Sequence, residues 1–217
     1  MKTFTQAVIG LCLLVIAVPL VWWGSAQIPL SITMDAVAAV PASSHVKVLT
    51  AGGGHGSGTH IGEGYILSAG HVADDAKTLQ ILADNGSEYT ADVLWSNREF
   101  DVALLRLQTD SSVGITPLSC AANPVGQRVR AYGSPANKDF VYTVGEVVGK
   151  PAPHPLWRSV IPVDMTIIPG MSGGGVLNQA GELVGITVGV MVYYQGLTGI
   201  GYVVPATVAC TLMGRTA

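Results

Sequence analysis

Glycine limits what this chain can fold into. It supplies 27 of the 217 residues, and between the glycines the apolar side chains fall in short, β-branched runs. Such spacing suits strands joined by tight turns. Residues 46–49, 79–82, 87–94, 102–107, 127–132, 140–148, 159–162, 174–177, 182–191 and 199–204 read as strands. Asp84-Asn85-Gly86 between two of them is a hairpin turn, and residues 178–181 read as another turn. The stretch 206–213 reads as a terminal helix, and residues 52–58 as a flexible loop holding His55, with His60 just beyond. No third ligand at metal spacing accompanies these two histidines, so they read as solvated loop residues and no metal site is expected. The pattern is that of an all-β protein. With 11 Lys and Arg against 14 Asp and Glu, a formal charge of −3 and no basic cluster, nucleic acid is not an expected partner.

The N-terminus is different. Residues 7–23 form a continuous apolar run preceded by Lys2, between a signal-peptide core and a full span of about 20 residues in length. Gly24-Ser25-Ala26 offers a cleavage pattern, while Trp22-Trp23 offers an interfacial anchor. Both readings, membrane anchor or signal peptide over residues 1–26, put the remainder of the chain outside the cytoplasm. That exported part is either held at the membrane, in the periplasm or extracellular space, or secreted if the leader is cleaved. Residues 27–45 read as a tether, 46–117 as an N-terminal β-barrel, 118–126 as a connection, and 127–217 as a C-terminal β-barrel with the terminal helix.

Chemistry concentrates near Pro169-Gly170-Met171-Ser172-Gly173-Gly174-Gly175. Glycines on both sides of a serine let the backbone approach a substrate closely and display one hydroxyl beside free N–H groups. A serine so placed, next to backbone donors, suits acyl transfer. Its partners must come earlier in the chain, because His45, His55, His60, His71 and His154 all precede Ser172. The order serine, acid, histidine of α/β-hydrolases is therefore excluded, and the order histidine, aspartate, serine is well populated. His71 ends a small-residue turn after the strand-like Tyr65-Ile66-Leu67. Asp101 stands at the mouth of the apolar run Val102-Ala103-Leu104-Leu105, where a carboxylate is costly unless hydrogen-bonded.

Four segments together resemble trypsin-fold serine proteases, most of all the HtrA (Deg) branch. They are Gly56-Ser57-Gly58 with Gly64 through Val72, Phe100-Asp101-Val102-Ala103-Leu104-Leu105, Val163 through Gly174, and Gly199-Ile200-Gly201-Tyr202-Val203-Val204-Pro205. The resemblance implies two packed antiparallel β-barrels of the chymotrypsin type, with a short C-terminal helix and here an N-terminal apolar helix. It implies a serine endopeptidase with Ser172 as nucleophile, His71 as base and Asp101 as its orienting acid, working through an acyl-enzyme. The N–H groups of Gly170 and Ser172 would form the oxyanion hole, and no cofactor is required. By the same resemblance Thr166, Ile167, Ile168, Pro169, Val188, Gly189 and Val190 line the primary pocket, with Gly201 and Tyr202 opposite. Thr166 brings no acid to the pocket, so cleavage after small or medium aliphatic residues is expected. Cys120 and Cys210 are the expected disulfide partners, two free thiols being the alternative.

Three departures accompany the resemblance. Met171 stands where the branch usually has Asn and digestive relatives have Asp, which argues against activation by a newly released N-terminus. Gly70 replaces a commoner Ala or Asn. Gly175 replaces a frequent Pro and is expected to loosen the strand after the serine. Twelve residues follow Pro205, so the PDZ modules common in the branch are not expected. Protein or peptide substrates are the implied partners, with the membrane a further one if the leader stays on. An oligomer is open, trimers being common in that branch. Two rival readings keep the same fold: a non-catalytic peptide-binding domain with a misaligned oxyanion turn, and an esterase.

Overall fold

The structure, a computed structural model, describes residues 44–136, 138–193 and 196–215, all within one compact unit spanning residues 35–217. The apolar leader and most of the tether lie outside the described residues. Among the described residues no helix is long and apolar enough to cross a membrane.

Six strands make the first half: β1 (His45–Leu49), β2 (His55–Gly62), β3 (Tyr65–Ser68), β4 (Thr78–Ala83), β5 (Glu88–Asn97) and β6 (Val102–Leu107). They pair antiparallel in the order β1-β2-β3-β6-β5-β4, and β1 also pairs with β4, so the sheet closes into a barrel. Alternation decides which side chains enter it. Leu79, Ile81 and Ala83 of β4 are buried while Thr78 and Gln80 face solvent. A single turn of helix, α1 (Gly70–Ala73), follows β3 and carries His71.

The second half holds β7 (Arg128–Gly133), β8 (Val141–Val147), β9 (Ala152–His154), β10 (Trp157–Asp164), β11 (Gly175–Leu177), β12 (Leu183–Tyr193) and β13 (Gly196–Pro205), then the helix α2 (Ala206–Leu212). Its sheet runs β13-β12-β11-β7-β8-β10-β9, and β13 pairs with β10 as well, from Ile161↔Val203 to Asp164↔Ile200. That pairing joins the two sides of the sheet into a ring with β9 appended. One apolar core fills the first barrel and continues through Leu177, Leu183, Ile186 and Val188 of the second half. Another, with Val129, Ile161, Val163, Met165, Ile167, Met171 and Val203, fills the second ring. The ring of His45 in β1 stacks on Tyr132 in β7, 3.9 Å between centroids.

Cys120 and Cys210 are bonded, with Cα atoms 5.8 Å apart across 90 residues of sequence. The bridge ties the connection after β6 to α2. Closing a loop of that length removes about 4–5 kcal/mol of unfolded-chain entropy.

The structure corrects the reading of the stretch that holds His55 and His60. Residues 52–58 are not a loop throughout: β2 begins at His55, and only the turn between Leu49 and His55 is irregular. His60 is a buried strand residue, not a solvated one. Its Nε2 accepts from Gly64 N–H (3.1 Å), so Nδ1 carries the proton and donates to Gly114 C=O (2.7 Å). The glycines of this stretch serve close packing, which in sequence looks the same as looseness. The strand β9 has no sequence signal, because Pro151, Pro153 and Pro155 alternate with Ala152 and His154; it sits at the sheet edge, where missing N–H donors are tolerated.

Candidate active site

β3 and α1 position His71. The buried strand ends at Ser68, and the chain turns through Ala69 and Gly70 so that the His71 ring emerges half-exposed. The turn after β5 brings Asp101 to it. Phe100 N–H bonds Asn97 Oδ1 (3.0 Å), and Ser96 Oγ donates to Gly70 C=O (3.2 Å), which fastens this turn to the histidine's own turn. Asp101 adopts φ +60°, a left-handed conformation that aspartate tolerates better than most residues. One of its oxygens, Oδ1, accepts the His71 backbone N–H at 2.7 Å; the other, Oδ2, lies 2.8 Å from His71 Nδ1. With a carboxylate as acceptor, Nδ1 is the protonated nitrogen of the neutral ring, leaving Nε2 free to accept a proton. Burial pushes the Asp101 carboxyl up, but the hydrogen bonds and charge of His71, with help from Trp157, outweigh it and hold it below the ordinary carboxylate value.

The serine turn packs against the start of the histidine's turn, where a Cβ on Gly173 would come within 2.8 Å of Ala69 N. Gly170 and Gly173 take φ of +97° and +87°, which side-chain-bearing residues reach only with strain. Met171 N–H bonds Ile168 C=O (3.0 Å), Gly173 N–H bonds Thr187 C=O (2.7 Å), and Thr187 Oγ1 donates to Met171 C=O. Ser57 of β2 braces the turn from the other barrel. Its N–H bonds Ser172 C=O (2.7 Å), and its hydroxyl donates to Gly170 C=O (2.8 Å) while accepting Ser134 N–H (2.9 Å). His55 Nε2 reaches Ser134 C=O (2.7 Å), so this histidine too is a bonded strand residue. Gly56 lies between the two halves of the site: a Cβ there would strike Val72, next to His71, and stand 2.9 Å from Ser172 C=O. Ala136 N–H bonds Pro169 C=O (3.2 Å), which orients the peptide leading into Gly170. Among the described residues, no acceptor is found for the N–H of Gly170 or of Ser172.

Met171 is fully buried in the second core, so the uncharged side chain packs where a charged one would need a partner. Gly175 does not loosen its strand. It opens β11 against β12, and its missing Cβ leaves room for Thr59 and Leu183, so it is a close-approach position between the two barrels.

The expected pocket residues fall into two groups. Thr166 and Pro169 are exposed and Ile168 is half-buried, while Ile167 is buried and fills the space before Gly201. Gly189 and Tyr202 are register partners, as are Val190 and Gly201. Val188 instead faces the histidine: with His71, Asp74, Arg98, Asp101, Leu156 and Trp157 it lines a cleft of about 460 Å³. Sequence reasoning missed Trp157, Ser57 and Thr187. Trp157 donates its indole N–H to Asp101 Oδ2 at 2.9 Å across 56 residues of sequence, and nothing in its proline-flanked surroundings signals this.

The trypsin-like peptidase domain family matches residues 56–186, the stretch that carries all three of His71, Asp101 and Ser172. The chain belongs to that family. Among curated relatives, this member is 32% identical over 155 residues to a probable periplasmic serine endoprotease, DegP-like, of Marinomonas sp. (strain MWYL1), covering 70% of this chain and 33% of that protein. It is 33% identical over 167 residues to the periplasmic pH-dependent serine endoprotease DegQ of Escherichia coli (strain K12), covering 73% of this chain and 36% of that one. The chain thus spans about a third of the length of the curated relatives it matches. Among solved structures, the HtrA-type protease AlgW with tripeptide superimposes with a TM-score of 0.73 at 24% identity, over 83% of this chain and 62% of that one. The serine endoprotease from Yersinia pestis gives 0.72 at 26% identity, over 83% and 65%.

Proposed function

We propose that this family member is an exported serine endopeptidase of the HtrA/Deg type, acting by Ser172, His71 and Asp101. The observation that carries the proposal is the two-point hold of a buried carboxylate on His71, through the ring and the backbone, beside a serine turn braced by Ser57. In this reading Ser172 Oγ attacks the substrate carbonyl and His71 Nε2 takes its proton. The tetrahedral oxyanion rests on the N–H groups of Gly170 and Ser172. His71 returns the proton to the leaving amine, and water repeats the sequence on the acyl-enzyme. Each oxyanion donor is worth about 3 kcal/mol of barrier in such sites. Asp101 orients His71 and stabilises the imidazolium.

The periplasmic relatives support export of this chain. The absence of an acid at Thr166 and the position of Ile167 before Gly201 favour small or medium aliphatic side chains at the scissile residue. Incubating casein with the wild type beside Ser172→Ala, with fragments identified by mass spectrometry, tests both parts. Fragments from the wild type alone, ending in aliphatic residues, are expected, together with fluorophosphonate labelling that Ser172→Ala abolishes. Equal cleavage by both would remove Ser172 from the mechanism, and ends at Arg or Lys would overturn the pocket assignment.

A further inference from the structure

Asp101 receives more than its histidine. The indole of Trp157, first residue of β10, donates to Oδ2 at 2.9 Å, the same oxygen that lies 2.8 Å from His71 Nδ1. Three N–H groups thus converge on a carboxylate that is 5% exposed. An indole only donates and does not ionise, so its hydrogen bond favours the charged carboxylate and opposes its rotation. A swivel of Asp101 would break the bonds to Trp157 and to the His71 backbone together.

The indole is itself held. His154 stacks on it at 4.7 Å, Tyr202 lies at 5.6 Å, and its six-membered ring covers Gly189, where a Cβ would come within 2.6 Å of Cη2. The next residue fastens the same strand to the acid-bearing turn. Arg158 N–H bonds Glu99 C=O at 2.9 Å, its guanidinium pairs with the Glu99 carboxylate, and it lies over the Phe100 ring at 5.6 Å. Two successive residues of β10 therefore grip three successive residues, Glu99, Phe100 and Asp101. Asp101 is the one with φ +60°, a conformation that needs support from its surroundings.

We propose that Trp157 is a positioning residue for the acid–base pair, its indole N–H fixing the Asp101 carboxylate that in turn fixes His71. The inference rests on the assignment of Ser172, His71 and Asp101 to the reaction. Trp157 touches neither the attacking oxygen nor the proton in flight; it acts through Asp101.

The test compares the full chain with Trp157→Phe, which keeps an aromatic ring and removes the N–H. A charged hydrogen bond lost at this place lowers kcat about tenfold, with a smaller change in KM. The acidic limb of the kcat/KM–pH profile moves to higher pH, because a carboxylate relieved of one donor holds the imidazolium more strongly. Asp74 and Arg98 in the cleft wall, Asp75 paired with Arg98, His154 and Tyr202 beside the indole, and the Glu99–Arg158 pair are the other charged or titratable groups described around this pair, and the substitution leaves all of them in place. A folded Trp157→Phe protein with unchanged kcat and pH limb, or with only KM altered, would overturn the proposal and leave Trp157 as a wall of the cleft. If that variant does not fold, the wild-type indole resonance of Trp157 in nitrogen–proton NMR decides. A protected N–H that titrates in step with the His71 ring supports the hydrogen bond, and one indifferent to pH overturns it. Ser172→Ala separates the two levels. Full activity in Ser172→Ala sinks the assignment of the triad, whereas its inactivity beside an unaffected Trp157→Phe sinks only this inference.

Discussion

A carboxylate with three N–H donors is the most constrained group in the site, and it makes the sharpest prediction for a single residue. Replacing Asp101 by Asn puts an amide where both oxygens now accept. Whichever way the amide turns, its NH2 meets a donor: the His71 backbone N–H on one side, or His71 Nδ1–H and Trp157 N–H on the other. The histidine tautomer then has no fixed preference. Asp101→Asn should lower kcat by about 10⁴-fold, as the same change does in trypsin-type triads, with circular dichroism unchanged. Steady-state kinetics on a peptide substrate checks it, and a loss below tenfold would contradict the orienting role.

Among the elements, β2 does most to join the two halves of the site. Its Ser57 braces the serine turn through N–H and hydroxyl, and Gly56 lets Val72 and Ser172 C=O approach from opposite directions. A methyl group at Gly56 would strike the side chain next to His71. Overpacking of this kind costs about 1–3 kcal/mol, and a displacement near 1 Å between reacting groups costs about a hundredfold in rate. Gly56→Ala should therefore lower both the urea midpoint and kcat/KM, measured on the same preparation. A variant with wild-type values in both would show that β2 has slack at this point. The same strand explains why residues 52–58 resemble a loop in sequence. Glycine required by close packing and glycine required by flexibility are the same letter, and only the neighbours distinguish them.

For the whole molecule, the packing of the two halves has a pH dependence built into it. His45 of β1 lies buried on Tyr132 of β7, and its Nε2 finds no hydrogen-bond partner among the described residues. Burial pushes its pKa from 6.5 down to about 3. A histidine lowered in this way binds its proton more readily in the unfolded chain. Its neutral form costs nothing above about pH 6.5, and stability is lost as pH falls from there towards 3, by on the order of 4–5 kcal/mol in all. His45→Phe, which keeps a ring against Tyr132, should flatten this loss. Urea unfolding at pH 7, 5.5 and 4 measures it, and parallel pH slopes for wild type and variant would refute it.

What the sequence determined by itself is whatever its local pattern carries. Alternating β-branched runs between glycines imposed strands, and Asp84-Asn85-Gly86 imposed a hairpin, because side-chain period and turn geometry act within a few residues. His71, Asp101 and Ser172 stood out as candidates because each sits in a distinctive local setting and in an order that few arrangements allow. Tertiary structure decided the rest. It set Trp157 against Asp101, Ser57 against Gly170 and His55 against Ser134, bonds spanning 56, 113 and 79 residues. It turned His60 inward, and it made Gly175 a point of contact between barrels where the sequence suggested slack. A hydrogen bond across such distances leaves no trace in the letters around either partner. It exists only once two closed sheets have brought their edges together.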